Sequence, residues 1–218
     1  MTPANLITLS NPRSPASEAY RALRTNLLFS GLDRALQTLV VTSPAPDDGK
    51  STALANLAVT LAQGGKKTIL VDCDLRRPSQ HTIWGVGRAP GLTDLVLGEV
   101  AEPPLMAVGV ENLSLLPAGT PPPNPADLLG SARLDGVIET LKARADFVLF
   151  DAPPVIAVTD ASLLALKLDG VLLVMRAGKT RRDHAEQARD LLARINAHII
   201  GTALLDAPIS AAGSYYGE

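Results

Sequence analysis

The chain alternates short apolar runs with longer stretches in which apolar residues recur every three or four positions. The runs at 39–41, 68–71, 113–116, 147–150, 171–175 and 199–205 read as strands. The stretches at 51–63, 133–144 and 181–195 read as helices, the first ending at Gly64-Gly65. A further helix is predicted ahead of them, over 15–30. Ser14 is placed to cap it, Pro15 suits its first turn, and Tyr20, Leu23 and Leu27 give it an apolar face. Strands that alternate with helices imply right-handed crossovers. The expected class is therefore α/β, with a mostly parallel central sheet and helices on both faces.

Composition narrows this picture. Of 218 residues, 46% are hydrophobic but only 3% aromatic, so the core must be aliphatic, as suits buried parallel strands. A net charge of -2 gives no reason to expect nucleic acid as a partner. The single cysteine, Cys73, cannot form an internal disulfide, which fits a reducing compartment. No secretory leader is visible, and no apolar run approaches the roughly 18 residues of a membrane span. The expectation is a cytoplasmic protein whose membrane contact comes through a partner. No repeat breaks the chain. Pro121 to Pro125 reads as a stiff loop, so 1–209 is expected to be one domain and 210–218 a mobile tail.

The candidate chemistry sits between the first of these strands and the helix that follows. Residues 40–52 run from a strand through a loop into a helix, with Asp47-Asp48-Gly49-Lys50-Ser51-Thr52 at the junction. That is the context of a phosphate-binding loop. Backbone N–H groups at the helix start can surround phosphate oxygens, and the helix dipole favours their charge. Gly49 allows close approach, Lys50 supplies a point charge to the β- and γ-phosphates, and Ser51 offers a hydroxyl to magnesium. The pattern's usual first glycine is absent, Pro44 standing there. Taken alone, the tripeptide also fits a plain loop. Acidic residues at strand ends favour the phosphate reading. Asp72 and Asp74 close the run 69–71, and Asp151 closes 147–150. In open α/β sheets ligands bind at the carboxyl ends of strands. Aspartates grouped there can hold a hydrated magnesium ion and activate an attacking hydroxyl. Cys73 should face away from its acidic neighbours, into the core. His81, His184 and His198 show no metal-binding spacing.

With these residues in view, the chain resembles the bacterial tyrosine kinases of capsular and extracellular polysaccharide synthesis. The resemblance spans nearly the whole sequence. Glu18-Ala19-Tyr20-Arg21-Ala22-Leu23-Arg24 matches the family's E-x-x-R-x-x-R element, and residues 43–52 match its Walker A loop. Residues 69–78, with Asp72-Cys73-Asp74-Leu75-Arg76-Arg77-Pro78, match Walker A′. Pro122-Pro123-Asn124-Pro125 with Leu128-Leu129 matches another family stretch. Phe150-Asp151-Ala152-Pro153-Pro154, followed by Val158-Thr159-Asp160-Ala161, matches Walker B and its continuation.

The resemblance implies a P-loop NTPase fold and a protein-tyrosine autokinase that uses ATP and Mg²⁺. By it, Lys50 and Ser51 hold phosphates and metal, and Asp72 and Asp151 coordinate or orient the metal. Asp74, or the Asp72/Asp74 pair, accepts the tyrosine proton. It implies a homo-oligomeric, octamer-like ring assembled through Glu18, Arg21 and Arg24. Phosphorylation would occur between subunits on the tail tyrosines Tyr215 and Tyr216. A membrane-embedded co-polymerase would act as activator and recruit the kinase to the inner face of the membrane. Because Met1 precedes the kinase region so closely, the split type with a separate activator is expected.

The sequence departs from the family at three places. Asp47 stands where glycine is usual, adding negative charge near the phosphates. Asp206 replaces an asparagine often found at the last strand end, where it can accept a hydrogen bond from the adenine amino group. The tail holds just two tyrosines. Two other readings stay open. One is a P-loop switch ATPase of the partition or septum-positioning type, although the extra lysine of those proteins is missing from residues 43–49. The other is a non-catalytic ATP-binding subunit of a polysaccharide machine.

Overall fold

The structure is a computed structural model, and it describes residues 6–30 and 35–208. In chain order its elements are α1 (Ile7–Ser10), α2 (Pro15–Ser30), β1 (Thr38–Thr42), α3 (Lys50–Gln63), β2 (Thr68–Asp72), α4 (Gln80–Trp84), α5 (Leu92–Leu97) and β3 (Met106–Ala107). They continue with β4 (Leu113–Leu116), α6 (Pro125–Gly130), α7 (Ala132–Lys142), β5 (Phe147–Asp151), α8 (Asp160–Ala165), β6 (Gly170–Arg176), α9 (Arg182–Arg194) and β7 (Ile199–Leu205). The strands form one sheet in the order β3-β4-β2-β5-β1-β6-β7. All neighbours are parallel except β3, which runs antiparallel on the β4 edge. This is the expected α/β class and a P-loop NTPase fold.

The inner strands are buried on both faces, and their side chains alternate between two aliphatic cores. Leu39, Val41, Leu70, Leu149, Leu172 and Val174 join the core under α2 and α3. Val40, Ile69, Val71, Val148, Phe150, Val171 and Leu173 join the core under α5 to α9. Cys73 lies in this second core, away from the acidic cluster, and burial pushes its thiol well above the ordinary range. The strand ends 41–43, 72–74 and 151–154 therefore meet at one edge of the sheet, because β2, β5 and β1 are adjacent there.

Each strongly patterned element falls close to its expected place, and α2 begins as the capping signal requires. The Ser14 hydroxyl accepts the Ser17 N–H at 3.1 Å. Residues 121–124 are irregular, but the loop ends earlier than expected, since Pro125 opens α6 at a position where proline costs no hydrogen bond. The short elements α1, α4, α5, α8 and β3 have no counterpart in the sequence pattern. They span two to six residues, too few to display a period.

Strand β1 is pinned at its start by Asp169, which precedes β6. Its Oδ2 accepts the backbone N–H of Gln37 at 3.1 Å and of Thr38 at 2.8 Å, and the Thr38 hydroxyl at 2.8 Å. Burial raises the Asp169 carboxyl, but these donors outweigh it and leave its pKa lowered. Asp169→Ala strips two backbone donors of their acceptor. It should cost about 1–3 kcal/mol in urea unfolding at neutral pH. Because the folded carboxyl titrates below its unfolded value of 3.8, this stabilisation is present above that pH and is lost as acid protonates it. The gap between variant and wild type should therefore narrow on acidification.

Candidate active site

The loop joining β1 to α3 is held from several sides. The Asp48 carboxylate turns back to accept the Ala45 N–H at 3.0 Å and the Thr180 hydroxyl at 2.8 Å. The Ser43 carbonyl accepts the Val155 N–H at 2.9 Å, tying the loop to the segment after β5. Gly49 has φ 86°, and a Cβ there would come within 2.8 Å of Leu205. Only glycine combines that backbone with that approach. Asp47 is also left-handed, at φ 62°, and its carbonyl accepts from Lys179 Nζ at 2.9 Å. The departure from glycine thus carries backbone strain but has a cation beside it.

Lys50 is buried and points into the acidic strand ends. Its Nζ lies 3.0 Å from Asp74 Oδ2, 3.2 Å from Asp151 Oδ1 and 3.2 Å from Ser51 Oγ. Burial works against its charge, but Asp151 and Asp74 more than reverse this and raise its pKa. Asp72 is fully buried and does not contact Lys50. Its Oδ2 accepts the N–H of Ser79 at 3.0 Å and of Gln80 at 2.9 Å, while Oδ1 faces the Asp74 N–H at 3.3 Å. Burial and the Asp151 carboxylate push the Asp72 carboxyl up to about 8, against the Gln80 N–H and Lys50. Asp72 therefore organises the turn after β2, whereas Asp74 and Asp151 each present one oxygen to the lysine, the other Asp74 oxygen accepting the Arg77 N–H at 3.0 Å.

Two clefts meet at the loop. The first, of about 470 Å³, is lined by Asp47, Lys50, Ser51, Asp74, Arg76 and Arg77 among others. Arg76 is braced by a two-point ion pair with buried Asp160, at 2.9 and 3.0 Å. The second, of about 670 Å³, runs between α2 and the end of β7, past Tyr20, Leu23, Asn56, Leu205 and Asp206. Gly49 and Thr52 line both. Arg176 Nε lies 2.8 Å from Asp206 Oδ2. Burial, then Asp206, raises the Tyr20 phenol.

The first cleft suits a phosphate chain. It has a glycine-hinged loop, a 14-residue helix starting at Lys50 and a buried ammonium at its mouth. For a magnesium ion the fit is partial. Ser51 lines the cleft and fully buried Asp151 lies behind the Lys50 ammonium, but Asp72 has no oxygen free of backbone donors. Among the described residues no ready-made cluster of three or more metal-binding side chains exists. Such a site relies on water and phosphate oxygens for its remaining ligands, as magnesium sites commonly do.

The E-x-x-R-x-x-R element is divided in the structure. Exposed Glu18 pairs with Arg21 at 2.6 Å. Arg24 turns inward, and its guanidinium donates to the Thr60 carbonyl of α3 at 2.9 Å. Tyr215 and Tyr216 lie outside the described residues. Sequence reasoning missed the clamp formed by Thr180, Lys179 and Arg176, because their link to the loop spans about 130 residues of chain. It also missed Gln80, considered below.

Residues 39–212 match the model of the CobQ/CobB/MinD/ParA nucleotide binding domain. The chain is 39% identical over 212 residues to the tyrosine-protein kinase YwqD of Bacillus subtilis (strain 168), covering 97% of this chain and 90% of that protein. Among solved structures, the chimerical protein CapA2B2 superposes with a TM-score of 0.89 at 37% identity, covering 94% of this chain and 90% of that one. The kinase domain of the Escherichia coli tyrosine kinase ETK superposes at 0.88 and 28% identity, covering 100% and 86%.

Lys50→Met removes the ammonium that Asp74 and Asp151 share, and their side chains are just 7% and 0% exposed. It should abolish nucleotide binding by calorimetry. It should also destabilise the protein by about 3–5 kcal/mol, since breaking a buried pair strands the partner charge. Asp47→Gly relieves the left-handed strain and removes a carboxylate from the cleft. Nucleotide affinity should rise roughly fivefold, the equivalent of ~1 kcal/mol of repulsion at short range in a watery cleft. Titration calorimetry at fixed ionic strength measures it.

Proposed function

The chain belongs to the CobQ/CobB/MinD/ParA nucleotide-binding family and, within it, to the bacterial tyrosine kinases; on that footing we propose an ATP- and magnesium-dependent autokinase that phosphorylates tail tyrosines of a second copy and so regulates capsular or extracellular polysaccharide synthesis and export. The carrying observation is the buried Lys50 ammonium held between Asp74 and Asp151 at the mouth of a phosphate-sized cleft.

In this reading Lys50 exchanges its carboxylate partners for β- and γ-phosphate oxygens. The N–H groups of residues 48–52 hold the phosphate chain at the N-terminus of α3. Ser51 and Asp151 would hold a magnesium ion brought with the nucleotide, which would supply positive charge to the phosphates, and Asp72 stiffens the turn behind them. Asp74, released from Lys50, faces the cleft and accepts the phenol proton as the tyrosine oxygen bonds to the γ-phosphorus and the bridging P–O bond to ADP breaks. The second cleft takes the nucleoside, with Asp206 accepting from the adenine amino group. Thr52, shared by both clefts, lies where the two halves of the ligand join.

Assembly into a ring would use the exposed Glu18–Arg21 side of α2, with Arg24 serving the fold instead. Among the described residues no helix is long and apolar enough to cross a membrane. Recruitment to the inner face is therefore assigned to a membrane-embedded co-polymerase that acts as activator. Tyr215 and Tyr216 are the proposed acceptors. Each phosphate adds about -1.5 to -2 charge, which would drive a modified tail out of a cleft already lined by carboxylates.

Mass spectrometry after incubation with ATP and Mg²⁺, with the activator present, tests the whole reading. Phosphate is expected on Tyr215 or Tyr216 and absent from the Tyr215→Phe, Tyr216→Phe variant. No phosphotyrosine in the wild type, with ATP still bound, would make a nucleotide-dependent switch the better description.

A further inference from the structure

Gln80, at the start of α4, is fully buried and bonded to all three nucleotide motifs. Its backbone N–H donates to Asp72 Oδ2 at 2.9 Å. Its side-chain Nε2 donates to Asp151 Oδ2 at 2.8 Å and to the Ser51 carbonyl at 3.0 Å. Its Oε1 accepts the indole N–H of Trp84 at 3.2 Å. The amide's orientation follows from its partners. A carbonyl and a carboxylate can only accept and an indole can only donate, so nitrogen must face Ser51 and Asp151 and oxygen must face Trp84. Every hydrogen-bonding group of this side chain is used, within a site where an unpaired polar atom is costly.

The consequence concerns Asp151. Its Oδ1 is held by Lys50 and its Oδ2 by Gln80. When Lys50 leaves for phosphate, Oδ1 becomes available while Gln80 keeps Oδ2 and the plane of the carboxylate fixed. We propose that Gln80 is the positioning residue of this kinase: locked by Trp84, it holds the Asp151 carboxylate and the Ser51 peptide in one orientation, so that Asp151 turns a single free oxygen towards the metal-bearing phosphate chain. The proposal rests on the assignment of Ser51 and Asp151 to the metal side of the site. It gives the buried indole of Trp84 a function beyond packing.

The test uses the full-length chain with Mg-ATP. Gln80→Met keeps the side-chain volume and removes the donors. Trp84→Phe keeps the ring and removes the indole N–H that orients the amide. Gln80→Met should lower kcat for phosphate transfer about 10–100-fold, the usual effect of removing a partner that orients a metal-side ligand, with KM for ATP nearly unchanged. Trp84→Phe should lower kcat less, and should add nothing in the Gln80→Met background, because it acts through Gln80. Trp84 is the chain's single tryptophan, so its emission reports the same contact without turnover. It should shift in Gln80→Met before any nucleotide is added, because the indole N–H loses its acceptor, although calorimetry still shows Mg-ADP bound by the variant.

Wild-type kcat in Gln80→Met, or additive effects of the two substitutions, would overturn the proposal. So would a fall in kcat matched by equal losses of ATP affinity and thermal stability, which describes a merely structural residue. A wild type that binds no nucleotide would instead overturn the functional reading and this inference with it. A wild type that transfers phosphate, with Gln80→Met equally active, sinks the inference alone.

Discussion

The structure depends on one ammonium placed among three carboxylates. Asp72, Asp74 and Asp151 are all buried at adjoining strand ends, and among the described residues Lys50 is the single basic side chain that ion-pairs within the cluster. Buried charge is tolerable when it is paired or shifted towards neutrality. Here both devices operate: Asp74 and Asp151 are paired, while Asp72 is fed by backbone N–H groups and pushed towards its protonated form. The arrangement is internally balanced but not inert. A nucleotide that draws Lys50 away must leave the carboxylates short of positive charge, and it brings negative charge of its own. A divalent cation arriving with the phosphates restores the balance. The magnesium dependence of the proposed reaction thus follows from local electrostatics, although no preformed cage of side chains for the ion stands among the described residues.

That cluster can form because of the sheet's order. β2, β5 and β1 are adjacent and in register, with Asp72 opposite Asp151 across β2 and β5. Their side chains alternate between two aliphatic cores, so successive residues at the strand ends have fixed directions. Cys73 is sent into one core, and the aspartates beside it are sent towards α3. A one-residue slip of β2 would exchange them, burying charge in an apolar layer.

How much of this could be read from the chain alone depended on range. Long elements declared themselves through periodicity, and the strand-end aspartates and the Gly49-Lys50-Ser51 turn through local context. The α2 start was legible because a cap is a local device. What escaped was whatever depends on contacts distant in sequence. Nothing in the spacing of Glu18, Arg21 and Arg24 says that Arg24 will close the end of α3 while its neighbours stay outside. Gln80 lies just past the Walker A′ run, but its partners Ser51 and Asp151 lie 29 and 71 positions away. Nor does Asp47 reveal its left-handed backbone without the loop around it. Asp72 and Asp74 look alike in sequence and both accept backbone donors from the following turn, yet Asp72 takes the N–H groups of Ser79 and Gln80 while Asp74 also reaches the lysine. The distinction comes from α4, too short to be read in advance.

Helix α2 connects the outer surface with the interior of the site. One side carries the exposed Glu18–Arg21 pair, another lines the second cleft with Tyr20 and Leu23, and Arg24 fastens the helix to α3 through Thr60. Helix α3 begins at Lys50, so α2 is one rigid contact away from the phosphate loop. Asn56 ties α3 to α1 as well, taking the Thr8 N–H and hydroxyl at 3.1 and 2.8 Å and returning its own amide to the Thr52 carbonyl at 2.9 Å. If subunits meet on the outer side of α2 and the nucleoside lies on its inner side, the two events share a helix that neither can shift without the other. Coupling between binding sites is reciprocal. A nucleotide that favours assembly must then be bound more tightly by the assembled form. Release of a phosphorylated tail would accompany a loosening of both.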